Sequence, residues 1–86
     1  PNPFNPSTKI RWQTPVNGWQ TLKVYDVLGN EIATLVDDYK LAGNYEVEFN
    51  VVQSAAADHP AIASGVYFYQ LKTENYFETK KMLLLK

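Results

Sequence analysis

The chain has 86 residues, a formal net charge of −1 and no cysteine. This length gives room for one domain, over residues 1–86, and excludes two-lobed enzyme folds. Eight basic residues against nine acidic ones exclude the basic surface that nucleic acid requires, and the lack of cysteine excludes thiol catalysis and thiolate metal sites. No apolar run is long enough to cross a membrane, so no membrane insertion is expected.

Short runs of alternating apolar and polar residues, separated by turn signals, make up most of the chain. This period of two is typical of half-buried β-strands, and strands recurring at this spacing predict an all-β chain. We expect an antiparallel, immunoglobulin-like β-sandwich of six or seven strands. Strands are predicted over residues 8–13, 19–27, 31–36, 45–50, 66–73 and 76–85.

The segments between these strands carry distinct signals. Asn17-Gly18 is the preferred pair for a type I′ turn, and Gly29-Asn30 predicts a second hairpin. Residues 37–42 are expected to form a polar loop. Residues 53–64 form the longest irregular stretch, in which an alanine run could make one helical turn. Residues 1–6, rich in proline, predict an extended lead-in from an upstream linker, and the start on Pro1 without a signal peptide favours a fragment of a larger protein.

Catalytic signals are weak throughout the sequence. His59 is the only histidine and lies in the longest predicted loop, so no triad or metal cluster can be built around it locally. Asp37-Asp38 is an isolated acidic pair, and Glu46 and Glu48 alternate along one strand without the spacing of a calcium loop. No glycine-rich phosphate loop is present. We therefore expect no enzyme activity, no metal and no cofactor.

Aromatic residues make up 14% of the chain, which raises the possibility of stacking on sugars. Most of them alternate within predicted strands, where packing in a thin core is the better explanation. Trp19 differs because it directly follows a predicted turn and is expected to be exposed. The candidates for a sugar platform are Trp12, Trp19, Tyr25, Tyr39, Tyr67, Phe68 and Tyr69.

Two segments near the end of the chain stand out. Tyr67, two residues after Gly65, is placed like the tyrosine of a tyrosine corner, whose hydroxyl bonds to backbone. The segment 80–86 combines lysines with a run of apolar residues that point to both faces of a strand. Such a strand is either central in a sheet or an edge that awaits a partner, and lysines commonly guard an edge.

Four segments in order, residues 1–8, 22–29, 63–69 and 80–82, resemble the type A C-terminal sorting domain of the type IX secretion system. The resemblance covers the whole chain. The immunoglobulin-like domain of flagellar hook-capping proteins shares the pattern, and the Lys80-Lys81 ending favours the sorting domain. Two departures concern the long loop before residue 63 and Asn30, which stands where arginine or lysine is common.

The resemblance implies a non-catalytic signal that directs an upstream passenger across the outer membrane to the cell surface or beyond, after transit through the periplasm. It implies an outer-membrane translocon and a sorting peptidase as partners. An accessory carbohydrate-binding or structural module of an extracellular enzyme is the alternative. By position, the residues that the resemblance marks for translocon recognition are Gly65, Tyr67, Lys80, Lys81, Met82, Leu84 and Lys86.

Overall fold

The structure, a computed structural model, describes residues 7–50 and 64–84. The predicted lead-in over residues 1–6, the loop residues 53–63 with His59, and Lys86 lie outside the described residues. The described residues form antiparallel strands and no helix, which confirms the all-β prediction. The strands are β1 (Ser7–Thr14), β2 (Gly18–Tyr25), β3 (Glu31–Lys40), β4 (Gly43–Asn50), β5 (Gly65–Lys72) and β6 (Phe77–Leu84).

The strands divide between two sheets, as an immunoglobulin-like sandwich requires. One sheet pairs β1 with β4, and the other has the order β3-β2-β5-β6. The buried apolar side chains come from both sheets, so the core lies between them. Trp12 Nε1 of β1 donates a hydrogen bond of 2.9 Å to the Oε1 of buried Gln20 on β2, which adds a polar link across this core. The core residues are Ile10, Leu22, Val24, Phe49, Tyr67, Leu71 and Leu84.

The hairpin predicted at Gly29-Asn30 is present and joins β2 to β3. Gly29 has a φ of 87°, and its amide donates to the Asp26 carbonyl at 3.1 Å. The Asp26 amide donates to the Asn30 carbonyl at 3.0 Å, which closes a three-residue loop. A type I turn followed by a left-handed glycine is the usual form of such a loop.

The prediction of a type I′ turn at Asn17-Gly18 is wrong. Neither residue has a positive φ, and the strands on either side belong to different sheets. The segment is therefore a crossing between the two layers of the sandwich. Asn17 Oδ1 accepts a hydrogen bond of 2.7 Å from the Ala42 amide, so this crossing is tied to the turn between β3 and β4.

The polar loop predicted over residues 37–42 is also corrected. Strand β3 continues to Lys40, and its second half pairs with the start of β2, with Tyr39 opposite Trp19 and Asp37 opposite Thr21. Two register shifts interrupt this ladder. Acidic side chains are tolerated here because Asp37 and Asp38 are exposed to solvent.

The outer face of the two-stranded sheet is charged, as the alternation at Glu46 and Glu48 predicted. Arg11 and Lys9 of β1 both form ion pairs with Glu46, the second at 3.9 Å. The hydrogen bond from Arg11 lowers the pKa of Glu46. The polar character of this face contrasts with the outer face of the four-stranded sheet, where several aromatic side chains are exposed.

Candidate functional site

Strand β6 forms one edge of the four-stranded sheet. It pairs with β5 along its full length, from Gly65 opposite Leu84 to Lys72 opposite Phe77. No strand of the described part of the chain lies on its other side. An antiparallel strand with one free side exposes a row of backbone donors and acceptors to which another chain can pair.

The alternation along β6 separates a buried side from an exposed one. Leu84 is 2% exposed and belongs to the core, and half-buried Met82 packs against that core opposite Tyr67. Leu83, between them, is 63% exposed on the outer face. Met82 and Leu84 therefore anchor the strand to the core from one face, while Leu83 stays accessible on the other face.

Lys80 and Lys81 lie on opposite faces of the same edge strand, and both are exposed. Lys80 Nζ lies 3.6 Å from a carboxylate oxygen of Glu78, an exposed pair of little energetic value. Lys81 stands opposite Phe68 and has no ion pair among the described residues. The two ammonium groups thus give the open edge a positive charge that a partner can approach from solvent.

Gly65 and Tyr67 lie on β5, the strand that holds β6 in place. Tyr67 is buried at 8% exposure and packs in the core, while Gly65 begins the strand. A hydroxyl-to-backbone bond at Tyr67 stays a prediction. The structure places six of the seven predicted recognition residues, the two lysines among them, in the hairpin of β5 and β6. The seventh, Lys86, lies outside the described residues.

Sequence reasoning missed a second tyrosine placed in the same way. The Tyr45 hydroxyl donates to the Leu41 carbonyl, four residues upstream, at the turn between β3 and β4. The signal was available, because Gly43 precedes Tyr45 by two residues just as Gly65 precedes Tyr67. Lys40 Nζ lies 5.0 Å from the centre of the Tyr45 ring, and this cation–π contact further fixes the turn.

The turn between β2 and β3 presents two apolar side chains to solvent. Val27 is 67% exposed and Leu28 83% exposed. The Asp26 carboxylate fixes their backbone by accepting hydrogen bonds from the Leu28 amide, the Asn30 amide and the Asn30 side chain. Asn30, the departure noted in the sequence, therefore closes the turn through its side-chain amide.

The exposed aromatic side chains are fewer than the sequence candidates. Trp12 is half-buried and packs against the core between the sheets, while its ring stacks on Tyr45 of the neighbouring strand with ring centres 5.7 Å apart. Trp19 is 52% exposed, which confirms the expectation for that residue, and Tyr39 is 54% exposed. Both lie on the outer face of the four-stranded sheet.

The shifted pKa values of Lys23 and Glu31 come from one ion pair between β2 and the start of β3. Glu31 raises the pKa of Lys23 by a hydrogen bond across 3.0 Å, and Lys23 lowers the pKa of Glu31 in return. The described residues contain no group of three or more side chains that could hold a metal ion. They also include no helix that is long and apolar enough to cross a membrane.

Comparison with protein families decides the identity of the chain. The model of the secretion system C-terminal sorting domain matches residues 1–85. The chain belongs to this family. The sorting domain is thus a C-terminal signal for type IX secretion, and it directs export to the cell surface or the extracellular space. Searches of curated proteins and of solved structures give no match.

A sorting signal is read by other proteins, so the sorting domain interacts with the secretion machinery and acts on an upstream passenger. Protein recognition needs an accessible surface with defined backbone geometry. Among the described residues, strand β6 has such a surface, as do the other edge strands β1, β3 and β4.

Proposed function

We propose that the sorting domain delivers its passenger by docking strand β6 on a component of the outer-membrane translocon. The observation that carries this proposal is the open side of β6, which is held at full length by β5 and flanked by Lys80 and Lys81. A strand of the translocon component would add to this side and form main-chain hydrogen bonds. The ladder would give affinity, while side chains on the two faces would give specificity.

The recognition residues divide into two groups in this proposal. Lys80, Lys81 and Lys86 contact the translocon, where their charges speed the encounter with an acidic surface. The four others hold β6 straight and in register, because a buried anchor on one face prevents the strand from peeling away. These positioning residues are Gly65, Tyr67, Met82 and Leu84.

We further propose that residues 1–86 act as one non-catalytic domain without a cofactor, with residues 1–6 as the lead-in from the passenger. The sorting peptidase would then supply the chemistry by separating the passenger from the domain at the surface.

The test is export of a reporter fused in front of residues 1–86 in a bacterium with this secretion system. Lys80→Gln with Lys81→Gln removes both charges at the open edge. We expect this variant to leave the reporter in the periplasm, whereas the unaltered domain brings it to the surface. Antibody labelling of intact cells measures the surface fraction.

A matched control removes two positive charges from another part of the surface. Lys9→Gln with Arg11→Gln removes two exposed positive charges from β1, which lies in the other sheet, and this variant should reach the surface like the unaltered domain. Circular dichroism of the purified domains checks that both variants are folded. Equal surface display of the two double variants would overturn docking through the β6 lysines.

A further inference from the structure

A shallow depression lies on the outer face of the four-stranded sheet, near the turn between β5 and β6. Its volume is about 290 Å³, and the Trp19 ring forms its aromatic wall. Tyr39 stands directly opposite Trp19 on the neighbouring strand, so the two rings lie side by side on one face. The depression is lined by Trp19, Thr21, Lys72, Thr73 and Glu74.

The Trp19 ring is held in place before any ligand arrives. Its Nε1 donates a hydrogen bond of 2.6 Å to Asp37 Oδ1, and Asp37 lies on the same face, opposite Thr21. The indole N–H is thereby satisfied within the protein, yet 52% of the residue remains exposed. A fixed, exposed aromatic face binds at a lower entropic cost than a mobile one.

The groups around the aromatic pair are polar and mixed in charge. Lys72 contributes one positive charge, whereas Glu74 and Asp37 contribute two negative ones. This balance disfavours an anionic ligand, and the hydroxyl and carboxylate groups disfavour a purely apolar one. The remaining chemistry suits a molecule with an apolar face and a rim of neutral hydroxyl groups.

We propose that this depression is a binding site for neutral glycans, in which a pyranose ring lies against Trp19, while Tyr39 beside it extends the aromatic face for a longer glycan. The hydroxyl groups of the sugar would bond to Lys72, Glu74 and Thr21. The site differs from the β6 edge, and this inference does not rest on translocon docking. It gives the domain a means of holding polysaccharide at the cell surface.

The experiment is electrophoresis of the purified domain through native gels that contain one soluble polysaccharide each. The neutral probes are a mixed-linkage β-glucan, a xyloglucan and a mannan, and the anionic probes are alginate and polygalacturonate. We expect retardation by at least one neutral probe and by neither anionic one. Trp19→Ala and Tyr39→Ala should each weaken binding about tenfold or more, as truncation of an aromatic anchor commonly does.

Two further variants separate stacking from folding. Trp19→Phe keeps an aromatic face and should bind more tightly than Trp19→Ala. Leu28→Ala removes an exposed apolar side chain from the β2–β3 turn and should bind like the unaltered domain. Melting curves of all variants show whether each is folded.

Three outcomes would overturn the proposal. They are mobility unchanged by every neutral probe, equal retardation of folded Trp19→Ala and the unaltered domain, and retardation by the anionic probes alone. A loss of surface display in Trp19→Ala without any glycan binding would instead assign this face to a protein partner, which also contradicts the proposal.

Discussion

Asp26 shows how one carboxylate can fix a turn whose tip is apolar. The hydrogen bond from the Asn30 side chain is the largest cause that holds the pKa of Asp26 below its ordinary value, and the bond from the Asn30 backbone amide is the next largest. Valine and leucine at the centre of an exposed turn break the usual preference for glycine, asparagine and aspartate. The backbone geometry at Val27 and Leu28 is therefore maintained by Asp26 rather than by their own conformational preferences.

The lowered pKa of Asp26 predicts a pH dependence of stability. Because the folded pKa lies below the unfolded one, the ionised carboxylate stabilises the fold at pH values above the unfolded pKa of about 3.9. This contribution is lost as the pH falls through the folded pKa. The advantage of the unaltered domain over Asp26→Asn in urea unfolding should be constant near neutral pH and shrink on acidification. An advantage that persists in strong acid would show that the charge is irrelevant.

Tyr45 supplies a second prediction at the scale of single residues. Tyr45→Phe removes the hydroxyl that bonds to the Leu41 carbonyl while leaving the ring stacked on Trp12. We expect the free energy of unfolding to fall by about 1 kcal/mol, the usual value of one such bond. Urea denaturation measures it, with Tyr39→Phe on an exposed side chain as the control. Equal stability of the two variants would contradict a role for the Tyr45 hydroxyl.

At the scale of elements, the loop between β2 and β3 depends on its glycine. A Cβ at Gly29 meets nothing within 4 Å, so the cost of Gly29→Ala comes from its φ of 87° and not from a clash. We expect a loss of about 1–2 kcal/mol, the cost of a left-handed conformation for alanine.

Gly18 is the matched control for Gly29, since a Cβ there also meets nothing within 4 Å and its φ is not positive. Gly18→Ala should leave the stability unchanged or raise it slightly, because alanine restricts the unfolded chain. Thermal unfolding of the two variants measures the difference. Equal losses would show that backbone strain does not distinguish these positions.

These two glycines also show how far turns can be predicted from sequence. The hairpin at Gly29-Asn30 can be predicted because β2 and β3, on either side of it, pair with each other, so the local turn residues decide the structure. Asn17-Gly18 carries an equally strong local signal, yet the chain passes between sheets there. The end of β3 was missed for a related reason, since the exposed Asp37 and Asp38 resemble a loop unless the pairing with β2 is known.

At the scale of the whole molecule, the sandwich class followed from alternation, whereas the pairing of β1 with β4 did not. That pairing joins Ser7 to Asn50, and no local pattern specifies a partner so distant in sequence. The edge position of Lys80 and Lys81 was one of two alternatives that the sequence left open, and the lysines favoured it because they commonly guard an edge. The burial of Leu84 beside exposed Leu83 could not be predicted without the register between β5 and β6. The pairing of Trp19 with Tyr39 could not be predicted without the full extent of β3.

The core between the two sheets is small, so the loss of one large buried side chain should lower the free energy of unfolding of the whole domain. Phe49 of β4 is fully buried against the four-stranded sheet. Phe49→Ala should cost about 3–5 kcal/mol, a large part of the stability of a small domain. Leu41→Ala, at a residue 62% exposed, should change stability by less than about 0.5 kcal/mol. Calorimetry on both variants tests this, and a small effect at Phe49 would show that the two layers hold together without it.

The one-sided pairing of β6 has a consequence for the exchange of its amide protons with deuterium. In an antiparallel edge strand, alternate amides bond to the neighbour and the others face solvent. Exchange along Phe77–Leu84 should therefore alternate between slow and fast, whereas β5, paired on both sides, should exchange slowly throughout. If a translocon strand adds to β6, the fast set becomes protected while the slow set is unchanged. The period-two pattern of deuterium uptake would thus report docking residue by residue.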